Sequence, residues 1–159
     1  MTPFAIRDAG LDDLDVVIEY NAALARETEG KELPAETLRR GVATALAEPE
    51  RLRYWVAEAL NEGQGSRVIG QVATTREWSD WRDGWIWWFQ SVYVHPDHRG
   101  QGIFRALYAH VREIAWKNPD VIGLRLYVEV NNDRAQAVYR SLGMKPGGYD
   151  VYEDLWLGD

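Results

Sequence analysis

The 159-residue sequence contains no cysteine. Disulfide frameworks, thiolate zinc sites, iron–sulfur clusters and cysteine-nucleophile enzymes are therefore excluded. Histidine is scarce: His95, His98 and His110 are too few and too poorly spaced for a metal site, so no metal is expected. Basic residues are in deficit, with Lys+Arg 18 against Asp+Glu 25 and a net charge of −7. That balance argues against nucleic acid or anionic membrane as a partner, because both are held through basic surfaces. It leans weakly toward cationic small molecules. Long apolar runs are also missing. The tryptophan-rich stretch Trp85 to Phe89 falls far short of the ~20 residues of a membrane span. The opening MTPFAIRDAGLDDLDV has neither a basic nor an apolar signal region. A cytoplasmic location is expected.

What is present is core-forming bulk: 46% apolar residues, with eight Trp and eight Tyr. One core and one domain over 1–159 are expected, with no repeat, linker or low-complexity segment. Phe4–Arg7 reads as a first strand. Leu11, Leu14, Val17, Ile18, Ala22 and Leu24 recur at helical spacing, and acids in the first turn suit the helix dipole. That helix should end near Glu29-Gly30. Pro34 opens a second helix, to about Glu48, and Pro49 stops it. Strands follow at Tyr54–Leu60 and Val68–Glu77, joined by a hairpin loop at Asn61–Gly65. Trp78–Gly84 reads as a loop, and Trp85–Val94 as a long strand buried on both faces, with Trp87, Trp88 and Phe89 in the core. After a turn at Pro96–Gly102 come a helix over Ile103–Lys117, a strand over Gly123–Val128 and a helix over Asn132–Leu142 capped by Gly143. An aromatic-rich strand, Tyr149–Leu157, closes the chain.

The most informative segment runs from Ser91 through His95-Pro96-Asp97-His98-Arg99-Gly100-Gln101-Gly102-Ile103-Phe104. A buried strand enters a two-glycine loop that opens directly into an amphipathic helix. Such a loop presents backbone N–H groups at a helix N-terminus, a cradle for phosphate or pyrophosphate, and Arg99 can add a charge-assisted contact. A Walker loop would end in Gly-Lys-Ser/Thr, and a dinucleotide fingerprint would need glycine at 105, which is arginine. On its own the segment also has a plainer reading, a flexible strand–helix connection.

A second segment, Tyr127 to Met144, reads as a strand end, an Asn-rich helix start and a short helix ended by glycine. Together the two resemble the Gcn5-related N-acetyltransferase (GNAT) superfamily. Its R/Q-x-x-G-x-G/A loop matches Arg99 to Phe104, and its N-x-x-A-x-x-x-Y-x-x-x-G-F/M stretch matches Asn132 to Met144. The acidic first helix and the tail Tyr149–Trp156 look most like the diamine and polyamine acetyltransferase branch. The resemblance implies an α/β (α+β) fold: a mixed, mostly antiparallel central sheet splayed at mid-sheet and flanked by about four helices. It further implies acetyl-CoA as cofactor, a small-molecule primary amine as substrate, and direct attack in a ternary complex. A homodimer through an edge strand such as the last one is left open.

Carried over by the resemblance, the cofactor-binding residues are Val92, Tyr93 and Val94 of the long strand, Arg99, Gly100, Gln101, Gly102, Ile103 and Phe104 of the loop, and Asn132 and Arg134. Tyr139 becomes the proton donor to the departing thiolate. Asn132 and Tyr139, seven residues apart, share one helix face. A phenol of pKa near 10 is protonated at neutral pH and can protonate a thiolate of pKa roughly 8.5 or above. The substrate site is expected among Glu27, Glu29, Trp81, Gln90 and Glu129. Two positions depart from the pattern. Phe104 stands where Gly or Ala is usual, so its side chain must point away from the diphosphate. Gln90 stands where polyamine-acetylating relatives tend to carry glutamate, and glutamine is no base. Those departures motivate the alternative of a CoA-binding sensing or interaction module with little turnover.

Overall fold

The computed structural model describes residues 1–60 and 65–157. They fall into two compact units, Met1–Tyr127 and Val128–Asp159. Except for Gly65, the expected hairpin loop Asn61–Gly65 lies outside the described residues.

In the first unit, β1 (Phe4–Asp8) and a 3₁₀ turn lead to α1 (Leu14–Glu29) and α2 (Ala35–Ala47). Then come β2 (Arg53–Ala59), β3 (Arg67–Ser79), β4 (Gly84–Val94), α3 (Ile103–Lys117) and β5 (Val121–Leu126). The strands form one sheet in chain order. Its first three pairings are antiparallel, and β4–β5 is parallel across the α3 connection. Gly30 ends α1 in the left-handed conformation, as its sequence position predicts.

Strand β3 runs further than the polar Trp78–Gly84 segment suggests. Trp78 pairs across the ladder with Trp85, and their rings meet edge-on at 5.0 Å. Arg76 lies over the Trp85 ring at 4.9 Å. Such cross-strand aromatic and cation–π contacts hold the ladder together to Ser79.

The two faces of the sheet carry different helices. Val17, Val42, Ala45, Tyr54 and Ala73 form the core beneath α1 and α2, and Tyr20, Val56, Val68 and Tyr93 continue it. On the other face Phe89 stacks on Tyr108 of α3 at 5.4 Å. Gly70 lets α3 approach closely: a Cβ there would meet Ile103 Cγ2 at 2.9 Å.

In the second unit, α4 (Asp133–Ser141) is capped by Asn132, whose side chain accepts from the Ala135 N–H at 3.0 Å. Gly143 follows at φ +89°. The strand expected over Tyr149–Leu157 does not form: none of these residues is in a strand, and Tyr149, Val151, Tyr152, Leu155, Trp156 and Leu157 are exposed. A strand needs a neighbouring edge for its backbone groups, and the described part of this unit contains one helix and no strand to pair with.

Candidate functional site

The site begins with an irregularity in β4. Gln71 pairs with Tyr93, but Ala73 pairs with Gln90, so Ser91 and Val92 together oppose Val72. That is a β-bulge, and Ser91 takes φ +50° within it. The extra residue inverts the alternation of side chains. Phe89 faces α3, whereas Tyr93, four residues on, packs against Tyr20 of α1 with ring centroids 4.9 Å apart. In a regular strand both would share a face.

The same region is uncovered on its other edge. Pairing with β5 stops at Phe89↔Leu126, while β4 continues to Val94. Beyond Phe89 the sheet therefore opens, and among the described residues no strand of the sheet lies opposite the β4 backbone on that side. The His95 N–H bonds back to the Ile69 carbonyl at 2.9 Å. By ladder alternation, the Val94 N–H then points away from β3, toward the opening. The Val94 carbonyl accepts from Arg99 Nε at 2.9 Å.

The chain then crosses a 3₁₀ turn, Pro96–His98, and reaches Gly100 (φ +76°) and Gly102 (φ +77°). Both need the left-handed region, and among the described residues nothing beyond the adjoining chain lies within 4 Å of where a Cβ would stand. Gly102 is the N-cap of α3, with no side-chain cap and no acid in the first turn. No carboxylate of the first turn and no side-chain cap therefore neutralises the positive end of the helix dipole, an arrangement suited to an anion. Ile103 is buried, and the Phe104 ring lies 6.3 Å from Tyr108, packed along α3. Gln101 reaches the chain's start, its Oε1 accepting from the Thr2 N–H at 3.2 Å.

Residues expected at two different subsites meet here. Glu27 Oε2 accepts from Arg99 Nη2 at 2.7 Å, and Glu27 Oε1 accepts from the Tyr93 hydroxyl at 3.0 Å. Burial first, and this bond to a carboxylate second, raise the Tyr93 phenol above its ordinary pKa. The other expected acceptor residues in this unit do not join this cluster. Glu29 is exposed and lies 4.0 Å from Lys31. Trp81 is 84% exposed on the β3–β4 turn. Gln90 is half-buried on β4, immediately before the bulge. Trp88, expected in the core, is half-buried and stacks on Tyr127 with centroids 4.5 Å apart.

In the second unit, Glu129 accepts from the Asn131 N–H at 2.9 Å and from its side chain at 3.1 Å. Asn132 serves as the α4 cap, and Arg134 is exposed on the helix. Tyr139 is half-buried near the end of α4, and burial raises its phenol above the ordinary 10.0. Among the described residues no group of His, Asp or Glu could hold a metal, and no helix is long and apolar enough to cross a membrane.

Sequence reading missed Gln71, Asn21 and Tyr54, which form a buried hydrogen-bond chain ending on the Ser91 carbonyl. The only trace was a glutamine inside the otherwise apolar run Val68 to Ala73.

Comparison with known proteins agrees with this architecture. The structure of a protein from Clostridium difficile 630, described as a "possible acetyltransferase", superposes with a TM-score of 0.87 at 40% identity, over 98% of this chain and 99% of that one. A Clostridium acetobutylicum structure described as a "predicted acetyltransferase with acetyl-CoA" has a TM-score of 0.74 at 18% identity, over 96% of each chain, and shows the shared fold. The thialysine N-epsilon-acetyltransferase of Bos taurus is 36% identical over 91 residues, which are 55% of this chain and 52% of that protein. The chain spans about half or less of the length of the curated relatives it matches. The acetyltransferase (GNAT) family model matches residues 18–144, which run from α1 through the glycine loop to the end of α4, and the chain belongs to that family.

Proposed function

We propose that this protein transfers an acetyl group from acetyl-CoA to the primary amine of a small molecule, by direct attack in a ternary complex. The observation that carries the reading is the uncovered edge of β4 beyond Phe89, which leads through the glycine loop to a helix N-terminus without a side-chain cap. Acetyl-CoA has an extended amide arm and a diphosphate, and those two features call for an open strand edge and an anion cradle. In this reading the Val92–Val94 backbone holds the arm, and the loop Arg99–Phe104 holds the diphosphate. The family resemblance assigns Asn132 and Arg134 to the cofactor as well.

When bound, acetyl-CoA supplies the activated acetyl group. The protein's own groups hold, orient and move protons. The Val94 N–H would polarise the thioester carbonyl as an oriented donor. Tyr139, kept neutral by its raised pKa, donates its proton to the leaving thiolate. Without a cysteine the chain has no thiol to carry the acetyl group, which suits direct attack. Glu27, joined to Tyr93, is the carboxylate assigned to the acceptor amine, because Gln90 can bind but not deprotonate. The bovine relative named for an N-epsilon acceptor supports an amine at the end of an alkyl chain.

A CoA-binding module with little turnover has one observation in its favour: Gln90 is no base, and Glu27 is already engaged by Arg99. A thiol-release assay with acetyl-CoA across polyamines, amino acids and aminoglycosides separates the two. Turnover with one class of amine is the expected result. Binding of acetyl-CoA without turnover on any member would establish the module, and absence of acetyl-CoA binding would refute both.

A further inference from the structure

Gln71 is a fully buried amide on a strand whose neighbours Ile69, Val72 and Ala73 are buried and apolar. Its Nε2 donates to Asn21 Oδ1 of α1 at 2.8 Å and to the Ser91 carbonyl at 3.0 Å. Asn21 Nδ2 in turn donates to the Tyr54 hydroxyl of β2 at 3.0 Å. One hydrogen-bond chain thus ties β2, α1 and β3 to the residue at which β4 bulges. Ser91 holds a left-handed backbone without being glycine, a conformation that persists only where its surroundings enforce it. The other end of the Gln71 amide, Oε1, is buried without a protein partner. An apolar side chain of similar length would avoid that stranded acceptor, so what glutamine contributes here is its donor end.

We propose that Gln71 is a positioning residue for the cofactor: its hold on the Ser91 carbonyl fixes the bulge and thereby aims the Val92–Val94 backbone at the arm of acetyl-CoA. The inference rests on the assignment of that edge to acetyl-CoA made above. Its physical content is register. Without the hold, β4 can relax toward regular pairing, which would turn Tyr93 and Val94 to opposite faces and swing the Val94 N–H out of the opening. The glycine loop lies beyond the bulge and has its own anchors, His95 N–H on the Ile69 carbonyl and Ile103 packed over Gly70. Nucleotide binding should therefore survive where arm binding does not.

The test is calorimetric titration of the full chain with two ligands, acetyl-CoA and the nucleotide half of CoA, which keeps the diphosphate and lacks the arm. Gln71→Met should weaken acetyl-CoA by about tenfold, the worth of one well-oriented hydrogen bond, and leave the nucleotide half within about twofold. Tyr54→Phe removes only the far hydroxyl and should give the same split at smaller size. If the two ligands weaken together, or neither weakens, Gln71 has no positioning role. Should Gln71→Met fail to fold, Tyr54→Phe decides by the same criterion. A wild-type chain that ignores acetyl-CoA would instead sink the proposed function itself.

Discussion

Glu27 and Arg99, 72 residues apart in sequence, meet at 2.7 Å, with the Tyr93 hydroxyl on the other oxygen of the same carboxylate. The contact joins the last turn of α1 to the loop ahead of α3. It also links the residue proposed for the amine to a residue proposed for the diphosphate. Both side chains are about two-fifths exposed, at 40% and 42%, so the pair adds little to stability, about 0–1 kcal/mol. Its consequence is competition: a guanidinium held by Glu27 is less available to phosphate.

Glu27→Gln tests that competition. The melting temperature should barely move, acetyl-CoA affinity should hold or tighten as Arg99 is released, and KM for the amine should rise. Titration with acetyl-CoA and steady-state kinetics with the best amine read the two effects separately. Weaker acetyl-CoA binding in the variant would mean that the ion pair builds the phosphate site instead of competing with it.

Tyr139→Phe removes the proposed proton donor. We expect kcat to fall by about 10²- to 10⁴-fold, the usual worth of a general acid, with acetyl-CoA affinity unchanged. The pH dependence has a definite sign. Burial raises the phenol above 10.0, so the donor stays protonated throughout the neutral and mildly alkaline range. Wild-type kcat should therefore show no decline from loss of this proton below about pH 10. A basic limb centred lower that disappears in Tyr139→Phe would contradict the raised pKa, and unchanged turnover would remove Tyr139 from the mechanism.

These residues differ in how plainly the sequence announces them. The glycine loop is legible because φ above zero at Gly100 and Gly102 is a demand that only glycine meets without strain, and two glycines between a strand and a helix advertise it. The end of α1 at Gly30 is legible for the same reason. The bulge is not. Residues Trp85 to Phe89 are apolar whichever face they take, so no alternation exists there whose inversion could be noticed. Gln71 holds the missing information, but a lone glutamine in a strand reads as an edge residue until its partners on α1 and β4 are known. The C-terminal segment misleads in the opposite direction. Its β-branched and aromatic residues suit a strand, yet pairing depends on an edge that local pattern cannot supply.

Gly102→Ala separates strain from ligand contact. At φ +77° an alanine costs about 1–2 kcal/mol of backbone strain, although no protein atom crowds its Cβ. Gly30→Ala, at φ +63° and equally uncrowded, supplies the matched control. Denaturant unfolding should show similar losses in both. Only Gly102→Ala should lose acetyl-CoA affinity, since only that glycine is proposed to lie against the diphosphate. Equal affinities in the two variants would move the diphosphate elsewhere.

Alkaline unfolding offers a test of the core independent of any ligand. Tyr20 is buried, donates its hydroxyl to the Val68 carbonyl at 2.7 Å, and has its pKa pushed up to about 12, chiefly by burial. A folded pKa above the unfolded 10.0 means that the unfolded chain gives up this proton first. The associated stability is complete below pH 10 and drains away as pH rises toward 12, at up to about 1.4 kcal/mol per pH unit. Urea unfolding at about pH 9 and about pH 11 should show that loss. Tyr20→Phe should cost roughly 1–2 kcal/mol at neutral pH, by stranding the Val68 carbonyl, and should flatten the alkaline slope. Some slope should remain, because burial raises the Tyr93 and Tyr139 phenols too. A Tyr20→Phe chain with the full wild-type slope would show that Tyr20 ionises no differently in the folded and unfolded chains.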